Sequence, residues 1–142
     1  MKSLVVYFSR GGNTRKVAEA IAQELGCVAS NVMKGTPDVS GLDLLVLGSG
    51  NYGNNVGNGL QGFLNSLPQS NTCKAAVFAT AGGPEPKCIS VMQVALEEKG
   101  YKVISSFKCH GQTFFFLNRG HPNESDLKNA KLFAGDLKKR AL

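Results

Sequence analysis

LVVYFSRGGNT, residues 4–14, is the stretch whose reading decides the fold. LVVYF is an unbroken apolar run, as expected of a strand buried on both faces of a parallel sheet. The period then changes. Over residues 14–25, Val17, Ile21 and Leu25 recur at i, i+4 with Ala18 and Ala22 beside them, and Gly26 follows as a helix stop. Between strand and helix lie Ser9, Arg10, Gly11, Gly12, Asn13 and Thr14. A helix that starts at Asn13 or Thr14 turns unpaired N–H groups and the positive end of its dipole toward this loop, and such an end attracts anions. Gly11 and Gly12 let the backbone approach a phosphate with no Cβ in the way, while Ser9, Asn13 and Thr14 supply donors. Neither the lysine of GxxxxGK[ST] nor the fingerprint GxGxxG is present, so a single terminal phosphate monoester suits the loop better than a triphosphate or a dinucleotide. By itself, the same hexapeptide also suits a capped turn with no ligand.

Outward from this unit, strand and helix patterns alternate. Strands are expected at 28–33 (weakly), 42–49, 75–79 and 101–109, and helices at 59–67 and 86–99. The apolar residues 114–117 extend or follow the last strand, and a final helix opens at Asn123, an N-cap with Glu124 and Asp126 in the first turn. Neither a repeat nor a linker breaks the pattern. The expectation is one α/β domain over 1–142, a parallel sheet with helices on both faces. In such sheets ligands bind beyond the carboxyl ends of the strands. Three strands end in small-residue loops, SRGGNT (9–14), GSGNYGNN (48–55) and TAGGPEP (80–86), which should meet on one rim. Each loop alone is a turn; their convergence is the functional signal.

Composition narrows the classes. The chain has 142 residues, of which 42% are hydrophobic and 18% charged, ample for a packed core. The apolar run at 4–8 is too short for a secretory leader, and no run approaches the ~20 residues of a membrane span. A cytoplasmic protein without membrane insertion is expected. Cys27, Cys73, Cys88 and Cys109 are scattered, and with only His110 and His121 beside them no metal cluster is expected. The net charge of +6 is concentrated in part in Lys128, Lys131, Lys138, Lys139 and Arg140. It fits either a solvated helix face or an acidic protein partner. Nucleic acid is disfavoured, because basic patches interleaved with aromatics are lacking.

The chain resembles the short-chain flavodoxins, whose phosphate loop follows the pattern [ST]-x-[ST]-G-x-T after the first strand. Ser9, Gly12 and Thr14 match it, and Gly11 stands where the family has a hydroxyl. The resemblance spans nearly the whole chain. It implies a three-layer flavodoxin-like fold, a five-stranded parallel sheet in the order 2-1-3-4-5, and FMN as cofactor. It places Ser9, Arg10, Gly11, Gly12, Asn13 and Thr14 around the phosphate. Ser49, Gly50, Asn51, Tyr52, Gly53 and Asn54 would flank the flavin ring, with Tyr52 against one face. Gly53 matches the family glycine whose peptide turns over to accept a hydrogen bond from the reduced ring. Thr80, Ala81, Gly82 and Gly83 would lie along the pyrimidine side. No tyrosine or tryptophan occurs in TAGGPEP to cover the outer face, and Phe114, Phe115, Phe116 or Arg119 are the alternatives. The function implied is electron transfer between redox protein partners with acidic surfaces, by a monomer or weak dimer with no catalytic residue of its own. The alternative is an FMN-dependent NAD(P)H:quinone-type reductase.

Overall fold

Ser3–Phe8 form the first strand (β1), and its side chains alternate between two cores. Val6 and Phe8 face one, Val5 and Tyr7 the other, so the continuous apolar run in the sequence serves both faces of a central strand. The computed structural model describes residues 1–9, 12–50, 56, 58–81, 87–110 and 122–141. After β1 come helix α1 (Asn13–Leu25), strand β2 (Ala29–Asn31), strand β3 (Leu44–Gly50), helix α2 (Asn58–Ser66), strand β4 (Lys74–Ala81), helix α3 (Cys88–Glu98), strand β5 (Lys102–His110) and helix α4 (Glu124–Ala141). The strands form one parallel sheet in the order β2-β1-β3-β4-β5. Helices α1 and α4 cover one face, and α2 and α3 the other.

The expected α/β fold and strand order are both observed, and the differences are local. The expected strand over 28–33 is only three residues long. The Asn31 side chain accepts from the Met33 N–H at 3.0 Å and turns the chain into a 3₁₀ turn, Val32–Lys34. The strand expected from residue 42 begins at Leu44, because the N–H groups of Asp43 and Leu44 both donate to the Lys2 carbonyl. On α3 the buried stripe is Cys88, Met92 and Leu96, with Ile89 only half-buried. Helix α4 starts where expected. Asn123 Oδ1 accepts from the Asp126 N–H and Asp126 Oδ2 from the Asn123 N–H, both at 2.9 Å. This reciprocal cap is worth about 1 kcal/mol. Phe133 stacks on Phe107 of the edge strand with centroids 5.3 Å apart, adding about 0.5–1.5 kcal/mol.

Three lysines are placed at helix ends. Lys138 Nζ donates to the Glu24 carbonyl in the last turn of α1, Lys99 Nζ to Asn65 in α2, and Lys74 Nζ to Arg140 and Ala141 in α4. Three lysines thus satisfy carbonyls that their helices leave unpaired, at the negative ends of the dipoles. These ends lie opposite the rim on which the three loops were expected to meet.

Gly48 is required by packing. A Cβ built there would fall 1.9 Å from Phe78 Cζ, so the fully buried phenyl ring occupies the space a side chain would need. Gly48→Ala should lower the unfolding free energy by about 1–3 kcal/mol through overpacking. The exposed Gly62 in α2 has nothing within 4 Å of its Cβ position, and Gly62→Ala should raise stability by about 0.5–1 kcal/mol. Urea unfolding of both variants checks the pair.

Candidate functional site

Parallel pairing brings the strand ends level. Phe8 is the register partner of Ser49, Gly50 of Thr80, and Thr80 of Cys109. β1 is flanked by β2 on one side and β3 on the other, so the chain leaves these central strands toward opposite edges. The carboxyl ends of β1 and β3 therefore border the crevice where ligands enter open α/β sheets.

Helix α1 opens into this crevice. Its N-cap, Gly12, has φ +89°, a left-handed conformation natural to glycine, and a Cβ built there would meet nothing within 4 Å. The Gly12 N–H donates to Ser9 Oγ at 3.0 Å, which folds the loop back on itself and uses a lone pair of the serine, not its proton. Gly12 has no side chain to cap the helix, so the dipole end faces the rim with no side-chain oxygen from that residue in front of it.

Thr14, in the first turn of α1, is 2% exposed. Its Oγ1 lies 2.8 Å from Thr80 Oγ1 at the end of β4, itself 5% exposed. β3 runs between β1 and β4, and Gly48 and Gly50 fall on its α1 face. Ser49 is fully buried, with its hydroxyl donating to the Gly50 carbonyl at 2.7 Å. On the far side of β1 the 3₁₀ turn borders the start of α2: Phe8 Cδ2 is 3.1 Å and Val32 Cγ2 3.5 Å from a Cβ built at Gly59. Sequence periodicity did not find this wall, and its signal was Asn31, a turn former at the end of a short strand.

Ser9, Gly12, Asn13, Thr14, Ser49, Gly50, Thr80 and Ala81 are thus gathered at one rim, from three segments far apart in sequence; Ser49, Gly50, Thr80 and Ala81, expected in loops, are the last residues of β3 and β4. Arg10, Gly11, Asn51, Tyr52, Gly53, Asn54, Gly82 and Gly83 lie outside the described residues, as do Phe114, Phe115, Phe116, Arg119 and His121.

A flavodoxin domain model matches residues 4–113, which include all three loops. The chain belongs to the flavodoxin domain family. It is 36% identical over 150 aligned positions to an uncharacterized protein of Methanocaldococcus jannaschii, covering 98% of this chain and 99% of that one. Among solved structures, a short-chain flavodoxin associated with a non-canonical PDU bacterial microcompartment superposes with a TM-score of 0.80 at 19% identity, covering 100% of both chains. A flavodoxin from the domain Archaea superposes with a TM-score of 0.75, also at 19% identity, over 99% of each chain. These two likenesses establish the fold.

Membership in the flavodoxin domain family implies FMN. The residues at the rim fit its phosphate end: a helix N-terminus opened by a glycine in the left-handed region, a serine folded over it, and a buried threonine hydroxyl in the first turn. Among the described residues no group of histidine, cysteine and carboxylate side chains could hold a metal, and no helix is long and apolar enough to cross a membrane.

The thiols are held protonated. All four cysteines are thiols, outside any disulfide. Burial pushes Cys73 and Cys88 up to about 11, and burial followed by the Asp126 carboxylate pushes Cys109, at the rim, up to about 12. Burial also raises Cys27. In the unfolded chain thiols ionise near ~8.5, so folding keeps the proton on until far higher pH. This stabilising contribution is complete below the unfolded value and is lost as pH rises toward the folded values. The thermal midpoint should therefore fall steadily from about pH 9 to about pH 11, and Ellman's reagent at about pH 8 should label the native thiols more slowly than the unfolded ones.

Proposed function

We propose that the protein is an FMN-binding electron carrier that passes electrons between redox protein partners in the cytoplasm. The observation that carries this reading is the meeting of the α1 N-terminus with the ends of β3 and β4, joined by the Thr14–Thr80 hydrogen bond. FMN, when bound, supplies the redox chemistry, and the protein's part is to bind and orient it. Ser9, Gly12, Asn13 and Thr14, with Arg10 and Gly11 of the same loop, hold the phosphate. Ser49, Gly50, Asn51, Tyr52, Gly53 and Asn54 flank the ring, and Thr80, Ala81, Gly82 and Gly83 line its pyrimidine side. These roles follow the family pattern at the matching positions.

The thiols, protonated at neutral pH, provide no nucleophile, in keeping with a carrier that performs no bond chemistry of its own. On the partner side, Arg15 and Lys16 lie in the first turn of α1 and Lys87 immediately precedes α3, so exposed cations border the rim. A partner with an acidic surface complements them. A second reading, an FMN-dependent NAD(P)H:quinone-type reductase, is favoured by one feature: residues 80–86 contain no tyrosine or tryptophan to cover the outer flavin face.

Anaerobic mixing of the FMN-reconstituted protein with NADH or NADPH, followed optically, tests the proposal. A carrier binds FMN one to one and is reduced rapidly only when a flavoprotein reductase is added. Steady turnover of NAD(P)H with a quinone and no added reductase would establish the second reading instead.

A further inference from the structure

Thr14 and Thr80 are 66 positions apart in sequence, yet their hydroxyl oxygens are 2.8 Å apart inside the protein. A threonine hydroxyl has one proton to donate and two lone pairs to accept with. Within the pair, one hydroxyl spends its proton on the other, and the acceptor keeps its own proton for a third group. The two residues differ in what a third group would be. Thr14 belongs to the first turn of α1, where the helix dipole and the glycine cap favour an anion. Thr80 belongs to β4, between Gly50 on β3 and Cys109 on β5, a strand position with no such field. An anion at the α1 N-terminus favours one direction for both bonds: Thr80 donates to Thr14, and Thr14 donates to the anion. The chain then ends in a charge-assisted hydrogen bond, which polarises the first and is the stronger kind. In the opposite direction Thr14 would spend its proton on Thr80 and turn only lone pairs toward negative charge.

We propose that Thr80 is a positioning residue for the cofactor phosphate. It donates to Thr14 Oγ1 and so orients the Thr14 hydroxyl as a donor to the phosphate monoester. This inference rests on the FMN reading above. It gives the end of β4 a part in phosphate binding without touching the phosphate, and explains why both hydroxyls are withdrawn from water. Gly11, where the family has a hydroxyl, makes the orientation of Thr14 more consequential in this chain.

Riboflavin, which has the ring and ribityl chain but no phosphate, separates this role from a structural one. Dissociation constants for FMN and riboflavin are measured by quenching of flavin fluorescence, with the apo form of the wild type, Thr80→Val, Thr80→Ser, Thr14→Val and the double valine variant. Thr80→Val should lower the preference for FMN over riboflavin by about tenfold, the scale of one hydrogen bond to a charged group, since any contact of Thr80 beside the ring is common to both flavins and cancels in the ratio. Thr80→Ser, which keeps the hydroxyl, should restore FMN binding to within about threefold of wild type. The double variant should bind FMN no worse than Thr14→Val alone, because both substitutions break one chain. Thermal unfolding of each apo variant checks the fold, and Thr80→Ala reads the same FMN-to-riboflavin ratio if the valine variant does not fold. If the wild type prefers FMN strongly and removal of the Thr80 hydroxyl leaves that preference unchanged, the positioning role is overturned while the FMN reading stands. Equal losses for both flavins would also overturn it. A wild type that binds neither flavin, or both equally, would overturn the phosphate assignment and this inference together.

Discussion

Parallel pairing of β1 with β3, in register from Ser3 opposite Leu44 to Phe8 opposite Ser49, is the constraint on which the rest of the molecule depends. It sets the carboxyl ends of two central strands side by side while their connections leave toward opposite edges. The crevice follows from that divergence, and α1 must begin at its margin because it follows β1 directly. β4 then pairs with β3 in the same direction and delivers Thr80 level with Gly50, within reach of Thr14. Side-chain volume completes the geometry. Gly48 gives its space to Phe78, which fills the core beneath α1 and α4.

Charge is divided between the two ends of the sheet. At the end away from the site, Lys138, Lys99 and Lys74 cap the C-termini of α1, α2 and α4. These three of the sixteen cations thus stabilise helices. At the site end, the positive pole of α1 stands behind a glycine cap, and Arg15 there pairs with Glu19 one turn further on, with N···O 3.8 Å in an exposed pair. Such a pair contributes little to stability.

Much of this was legible in the sequence because its signals are local and repeated. The run at 4–8, the i, i+4 stripe through Val17, Ile21 and Leu25, and the cap at Asn123 each specify one element by one physical cause. The common rim of the strand ends that lead into the three loops was legible too, since parallel strands with right-handed crossovers place their carboxyl ends together. Pairwise geometry was not. Nothing in the composition of TAGGP says that Thr80 faces Thr14, because that depends on how α1 packs across the sheet, which no local pattern encodes. The short β2 was overestimated for a related reason: Asn31 competes with the ladder through its own side chain, and periodicity counts only apolar positions. Net charge, a sum over the chain, could not say which lysines face helix carbonyls.

The central claim is that FMN sits on the rim formed by α1, β3 and β4 with its phosphate at the α1 N-terminus. Backbone amide shifts, recorded by NMR as FMN is added to the apo protein, test it residue by residue. The account predicts the largest shifts at Gly12, Asn13 and Thr14, with further shifts at Gly50, Thr80 and Ala81, and little change at Lys2, Cys27 and Leu42 at the opposite end of the sheet. Shifts concentrated at that opposite end, or the absence of any change at Gly12 through Thr14 on saturation with FMN, would contradict it.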